Sequence, residues 1–180
     1  MTQGIIVADA GPLIALAVGT VLPQSIAMLG NLLVPQSVLD ECVVDITAAG
    51  AATINALSQS AALTIVAHGD IAPLDEAFAR GLGSGEAAVL SYANTHGHTA
   101  LIDERRARRI AAKMQVPVIG TGAVVLALKM QGRIASVLPV LAAWKSHGYY
   151  LSEAVATEIL RRAAETPAPA APNTQGNPPV

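Results

Sequence analysis

Five short aliphatic runs set what this chain can fold into. They are Gly4 to Ala8, Leu32 to Val34, Leu63 to Ala67, Thr99 to Ile102 and Val116 to Ile119. None exceeds five residues, and four of them stop at Asp9, Pro35, Asp103 or Gly120. Such runs suit strands buried on both faces. The stretches between them have helical composition. Pro12 suits the first turn of a helix, and Gln36 to Asp45 and the Ala-rich segment from Ala48 continue in the same manner. Gly83-Ser84-Gly85-Glu86 is a turn with Ser84 as cap, leading into Ala87 to Ala93. Glu104 to Met114, Ala123 to Met130, Ser136 to Trp144 and Ser152 to Arg162 are the remaining helices. Strands alternating with helices pair in parallel through right-handed crossovers, so the predicted class is α/β.

With 180 residues the chain has the length of one domain. Only 13% of residues are charged and 3% aromatic, against 52% hydrophobic, so the core is built from Ala, Val, Leu and Ile. This composition excludes a disordered chain. The single cysteine, Cys42, excludes an intramolecular disulfide and a Cys-rich zinc site, and a reducing, cytoplasmic address fits it best. From Thr166 to Val180 the chain turns to uncharged Pro, Ala, Asn and Gly. Residues 1–165 therefore read as the domain and 166–180 as a disordered tail.

A mean hydropathy of +0.48 raises the membrane question. The charge-free run from Ala10 to Leu39 is the one candidate, but Pro12, Pro23 and Pro35 divide it and no basic residue flanks it. Asp9 also falls where a signal peptide would be apolar. The chain reads as soluble and unprocessed, with no membrane partner.

In a chain so poor in charge, the placement of acids is informative. Asp9 and Asp103 stand at the carboxyl ends of two predicted strands, the edge where open α/β sheets bind ligands. Neighbouring strands lie about 4.8 Å apart, so both side chains can meet over one cation. Glu41 and Glu86 stand near helix starts. Carboxylates without thiol or paired imidazole suit magnesium or manganese better than zinc.

The segments Ile6-Val-Ala-Asp9-Ala-Gly-Pro-Leu-Ile-Ala-Leu, Val34-Pro-Gln-Ser-Val-Leu-Asp-Glu41, Leu82-Gly-Ser-Gly-Glu86-Ala-Ala-Val-Leu, Leu101-Ile-Asp103-Glu-Arg-Arg-Ala-Arg and Val118-Ile-Gly-Thr-Gly-Ala-Val-Val-Leu-Ala-Leu-Lys129 together resemble the PIN-domain proteins. In order and spacing they are most similar to the VapC-like toxin branch. The resemblance covers roughly Ile5 to Leu160 and implies a three-layer α/β/α fold. It also implies that Asp9, Glu41, Glu86 and Asp103 hold Mg2+ or Mn2+ for RNA cleavage by in-line attack of hydroxide, with Glu104 assisting. A cognate antitoxin and a homodimer belong to the same expectation. Many PIN domains place Thr or Ser after the first Asp. Here Ala10-Gly11 follows, and Thr121 is the candidate to supply a hydroxyl from the neighbouring strand end.

Five of the eleven Lys and Arg residues fall between Arg105 and Lys113. Arg105 and Arg109, four apart, form the expected phosphate-binding stripe; Arg106 and Arg108 read equally well as a solvated face. His96 and His98 read as exposed loop residues, Cys42 as unactivated, and Trp144, Tyr149 and Tyr150 as packing or dimer contacts. Two functions follow: a metal-dependent ribonuclease, the toxin of a toxin–antitoxin pair, or a catalytically silent PIN-like module that binds nucleic acid or a protein partner.

Overall fold

The computed structural model describes residues 4–30 and 32–166. In chain order the elements are β1 (Ile6–Ala8), α1 (Ala10–Val18), α2 (Leu22–Leu29), β2 (Leu32–Pro35), α3 (Gln36–Val43), α4 (Ala51–Gln59), β3 (Thr64–Val66), α5 (Glu76–Ala79), α6 (Ser84–His96), β4 (Thr99–Leu101), α7 (Arg105–Lys113), β5 (Val118–Ile119), α8 (Thr121–Met130), α9 (Leu138–Ser146) and α10 (Glu153–Ala163). All five predicted strands are present. They form one parallel sheet in the order β3-β2-β1-β4-β5, flanked by helices as a three-layer α/β/α fold.

The register places Val7 opposite Leu33 on one side and Ala100 on the other. Ile6, Val7 and Ala8 are all buried, as a central parallel strand requires. The order reverses at β1: the chain first builds outward through β2 and β3, then returns to lay β4 on the other side of β1, with β5 at the edge. The connections after β1 and β4 therefore diverge, which opens a crevice at their carboxyl ends.

Two helices escaped the sequence reading. α2 lies inside the charge-free run, its start set by Pro23 in the first turn; α5 is a single turn capped by the Asp75 side chain. Among the described residues no helix is long and apolar enough to cross a membrane. Ser84 is not the cap of α6. Gly83 takes that position, and Glu86 reaches back to accept its backbone N–H at 2.8 Å.

With so few rings, one clasp stands out in the aliphatic core. Trp144 is buried and donates its indole N–H to Ala15 O at 2.7 Å, tying α9 to α1. The far end of the domain is fastened by a charge. Glu165 accepts from Ser136 Oγ at 2.5 Å and from Val137 N at 3.0 Å, and it pairs with Lys129 Nζ at 3.2 Å. It supplies an anion at the start of α9, whose own first turn has no acid. Burial opposes the charged form of Glu165, but the bonds from Ser136, Val137, Lys129 and Leu138 outweigh it and hold the carboxyl below its ordinary value. The expected tail lies outside the described residues apart from Thr166.

These contacts fasten Glu165 to α8 and to the start of α9. A chain ending at Thr166 is expected to keep its Tm, whereas Glu165→Ala is expected to cost about 2–3 kcal/mol, roughly 5–10 °C. Because the folded pKa is depressed, this stabilisation is present at neutral pH and is lost as pH falls below the ordinary value of 4.5. Thermal melts at pH 7 and pH 3 check both points: the gap between wild type and Glu165→Ala should close in acid.

Candidate active site

Asp9 follows β1 directly and stands at the N-cap of α1. A cap aspartate ordinarily gives its carboxylate to the N–H two or three residues into the helix. Here the third helical residue is Pro12, which has no N–H, and Asp9 makes no side-chain cap bond. Its backbone N–H is bound to Leu101 O at 3.1 Å, which fixes it at the end of β4 as well as β1. The carboxylate is thus buried at the crevice without a helix-cap bond.

Asp103 is released from capping in another way. Glu104 is the cap of α7 and accepts from Ala107 N at 2.8 Å. Asp103 turns instead to the start of α8, where Gly120 at the cap position has no side chain. Thr121 N donates to Asp103 Oδ1 at 2.9 Å, and Oδ2 accepts from the Thr121 hydroxyl and, at 2.5 Å, from Tyr149 Oη. A side chain at Gly120 would be crowded. A Cβ there would stand 3.0 Å from Asp103 Oδ1 and 3.1 Å from Arg108 Nη1.

Glu41 on α3 and Glu86 on α6 approach from the other side. A Cβ on Gly85 would stand 3.3 Å from Glu41 Oε2 and 3.5 Å from Asp9 Oδ1, so the absence of a side chain at Gly85 lets these two carboxylates come close. Asp9 records the result. Burial is the largest cause that pushes its carboxyl up to about 7, with repulsion from Glu86, Glu41 and Asp103 adding to it, while the Ala10 N–H works in the opposite direction.

The four acids share one field without enclosing one point. Glu86 is committed to Gly83 N–H, and among the described residues no three His, Cys, Asp or Glu side chains are gathered closely enough to hold an ion. Repulsion acts over many ångströms, whereas coordination needs every oxygen within about 2–2.5 Å of the cation.

Beside Asp103 opens a groove of about 770 Å³, lined by Arg105, Arg108, Tyr149, Tyr150 and apolar residues of α8 and α10. The expected arginine stripe divides here. Arg105 lines the groove, but Arg109 does not; Arg108 does, and donates to Ile102 O at 2.9 Å. Thr121 also departs from its expected role. It is fully buried and its hydroxyl is taken by Asp103, so it positions that acid and does not face a substrate. Tyr149 and Arg108 were missed as site residues, since neither local spacing nor composition brings residue 149 to residue 103.

The other candidates remain inert. Cys42 is buried with its thiol pushed up to about 12 by burial, Glu41 and Asp9. His96 is the last residue of α6, stacks on Tyr92 at 4.1 Å and bonds Tyr92 O.

Carboxylates thus stand at a switch-point crevice of an α/β domain, next to an arginine-flanked groove. The chain belongs to the PIN-domain family: the family model DUF3368, a PIN domain, matches residues 5–165. PIN domains are generally nucleases that act on nucleic acid and typically use divalent metal ions. No curated protein and no solved structure gives a significant match. The donor set here fits that chemistry in kind, because all four candidate ligands are hard carboxylate oxygens and a cation would relieve the charge that raises Asp9.

The shift on Asp9 has a stability consequence. Between its ordinary value of 3.8 and about 7 the folded chain keeps a proton that the unfolded chain has released, so rising pH weakens folding across that window. Asp9→Asn is therefore expected to stabilise the chelator-treated protein at pH 8 by an amount on the order of 3–4 kcal/mol, and hardly at pH 4. Denaturant unfolding with EDTA at the two pH values checks this; equal stability of the two proteins at pH 8 would show that Asp9 bears no such load.

Proposed function

We propose that this chain is a divalent-metal-dependent endoribonuclease using Mg2+ or Mn2+, and the toxin component of a toxin–antitoxin pair. The observation that carries the reading is the placement of Asp9, buried at the switch point with its N–H on Leu101 O and with Glu41 Oε2 beside it at Gly85. Asp9, Glu41, Glu86 and Asp103 would hold the cation. When bound, it would activate water and neutralise charge on the phosphoryl group. Thr121 and Tyr149 fix the orientation of Asp103. Arg105, which has no partner among the described residues, and Arg108 stand where they can steady the scissile strand. The toxin assignment is supported by the likeness of the five segments to VapC-like proteins. In the same reading the protein acts on RNA in the cytoplasm as a homodimer and is held in check by a cognate antitoxin.

A second reading, a PIN module that binds nucleic acid or a protein without cutting, is favoured by one observation. One oxygen of the Glu86 carboxylate, Oε2, is bonded to Gly83 N–H. The two readings separate in one assay. With Mg2+ or Mn2+ the wild type is expected to cleave RNA, and Asp103→Asn is expected to lose at least about 100-fold in rate while staying folded, since it removes a ligand charge without opening a cavity. Wild-type rates in Asp103→Asn would end the nuclease reading.

Binding gives an independent check. Each lost phosphate contact makes the slope of log affinity against log salt shallower by roughly 0.7 for single strands. Arg105→Ala is expected to show that change, and Arg109→Ala, outside the groove, a smaller one. Equal effects would restore the solvent-facing stripe as the phosphate track.

A further inference from the structure

The two consecutive tyrosines after α9 do different things in the same groove. Tyr149 packs on Trp144, ring centroids 5.2 Å apart, and donates to Asp103. Tyr150 is 85% exposed yet lines the groove that Asp103 heads. The chain has only one Trp, three Tyr and one Phe. Trp144 is buried, Tyr92 lies against His96 and His98, and Phe78 is half-buried against a smaller hollow. Tyr150 is therefore the one Trp, Tyr or Phe ring left open to solvent, and it shares its groove with Asp103.

The surroundings of Tyr150 are amphipathic in a particular way. Leu126, Val155 and Ile159 make one wall apolar, Val155 being 46% exposed, while Arg105 and Arg108 bring cations from α7. Glu158, also in the lining, is already paired with Arg161 at 2.8 Å. Flat apolar surface flanked by guanidinium groups complements a nucleobase and its phosphates, because every base has a π-face and stacking on it needs no particular sequence.

We propose that Tyr150 is the base-stacking platform of a nucleotide subsite next to Asp103, with Arg105 and Arg108 taking the adjacent phosphates. The proposal rests on the nucleic-acid reading of the site. It adds that a base, and not only the backbone, is gripped. The ring is exposed and touches no core, so replacing it leaves folding unchanged.

The test measures binding, not turnover, so its failure is distinct from failure of the nuclease reading. Fluorescence anisotropy is recorded with Ca2+ as the only divalent cation, using a short labelled oligouridine and the same oligomer made abasic. Tyr150→Ala is expected to weaken binding of oligouridine about 5- to 100-fold, and Tyr150→Phe by less than about twofold. The abasic oligomer should bind wild type and both variants alike. Unchanged affinity in Tyr150→Ala, or equal weakening for both oligomers, overturns the proposal. So does loss of self-association in sedimentation without a change in RNA affinity, which would make Tyr150 a contact between copies of this chain. If the stacking pattern holds but no RNA is cut with Mg2+, the subsite stands and the hydrolase reading falls.

Discussion

The buried carboxylate of Asp9 is the group around which the rest of the structure is arranged. Taking an acid out of water costs several kcal/mol unless something compensates it, and here the nearest groups make matters worse. Three more acids raise its pKa, and only the Ala10 N–H at the start of α1 opposes them. A fold seeking stability alone would place Asn or Ser there. That an acid occupies the position, held by its own N–H to the end of β4, makes the crevice a place awaiting positive charge.

The acids differ from ordinary helix caps in how the chain spares them. Any aspartate after a strand and before a helix is under pressure to cap that helix. Asp9 makes no cap bond, and Pro12 removes one of the two N–H groups that could have donated to it. Asp103 escapes because Glu104, one residue later, caps α7 in its place. Glu86 does not escape: Gly83 offers an N–H and no competing side chain, so Glu86 closes its own helix. Capping bonds of this kind are worth about 1 kcal/mol, small enough for a cation's attraction to outweigh.

The fold was largely legible in the sequence because its signals are local. Five aliphatic runs ended by turn residues or acids mark strands whatever surrounds them, and Ile6 to Ala8 or Thr99 to Leu101 could hardly be read otherwise. α2 was lost because its buried face, Leu22, Ser25 and Met28, includes a polar residue, while its exposed face offers Pro23 and Ala27 beside a single polar Gln24. Likewise the acids could be picked out by their position after strands. What was not legible depends on contacts distant along the chain. Tyr149 reaches Asp103 only because Trp144 pins α9 onto α1, a contact between residues 129 positions apart. Thr121 was identified, but its direction was not, since only the register of β4 and β5 decides that it faces Asp103.

The arginines of α7 carry the same lesson from the opposite direction. Spacing of four selects residues on one face, which is sound helix geometry but does not say which face meets the site. The buried residues decide that. Ala107 and Ala111 turn inward, and at about 100° per residue Arg106 and Arg108 fall on the two flanks of that inner face while Arg105 and Arg109 lie behind. One flank runs along the Arg80-Gly81 turn, where Arg106 donates to Arg80 O at 2.8 Å. The other runs along Ile102, Asp103 and Gly120, where Arg108 is anchored, and Arg105 lies just behind it. A cation can serve chemistry at the sheet edge only from that second flank. Small inward residues are what allow it: with Leu or Phe at 107 or 111, α7 would stand further off the core and carry both arginines away from Asp103.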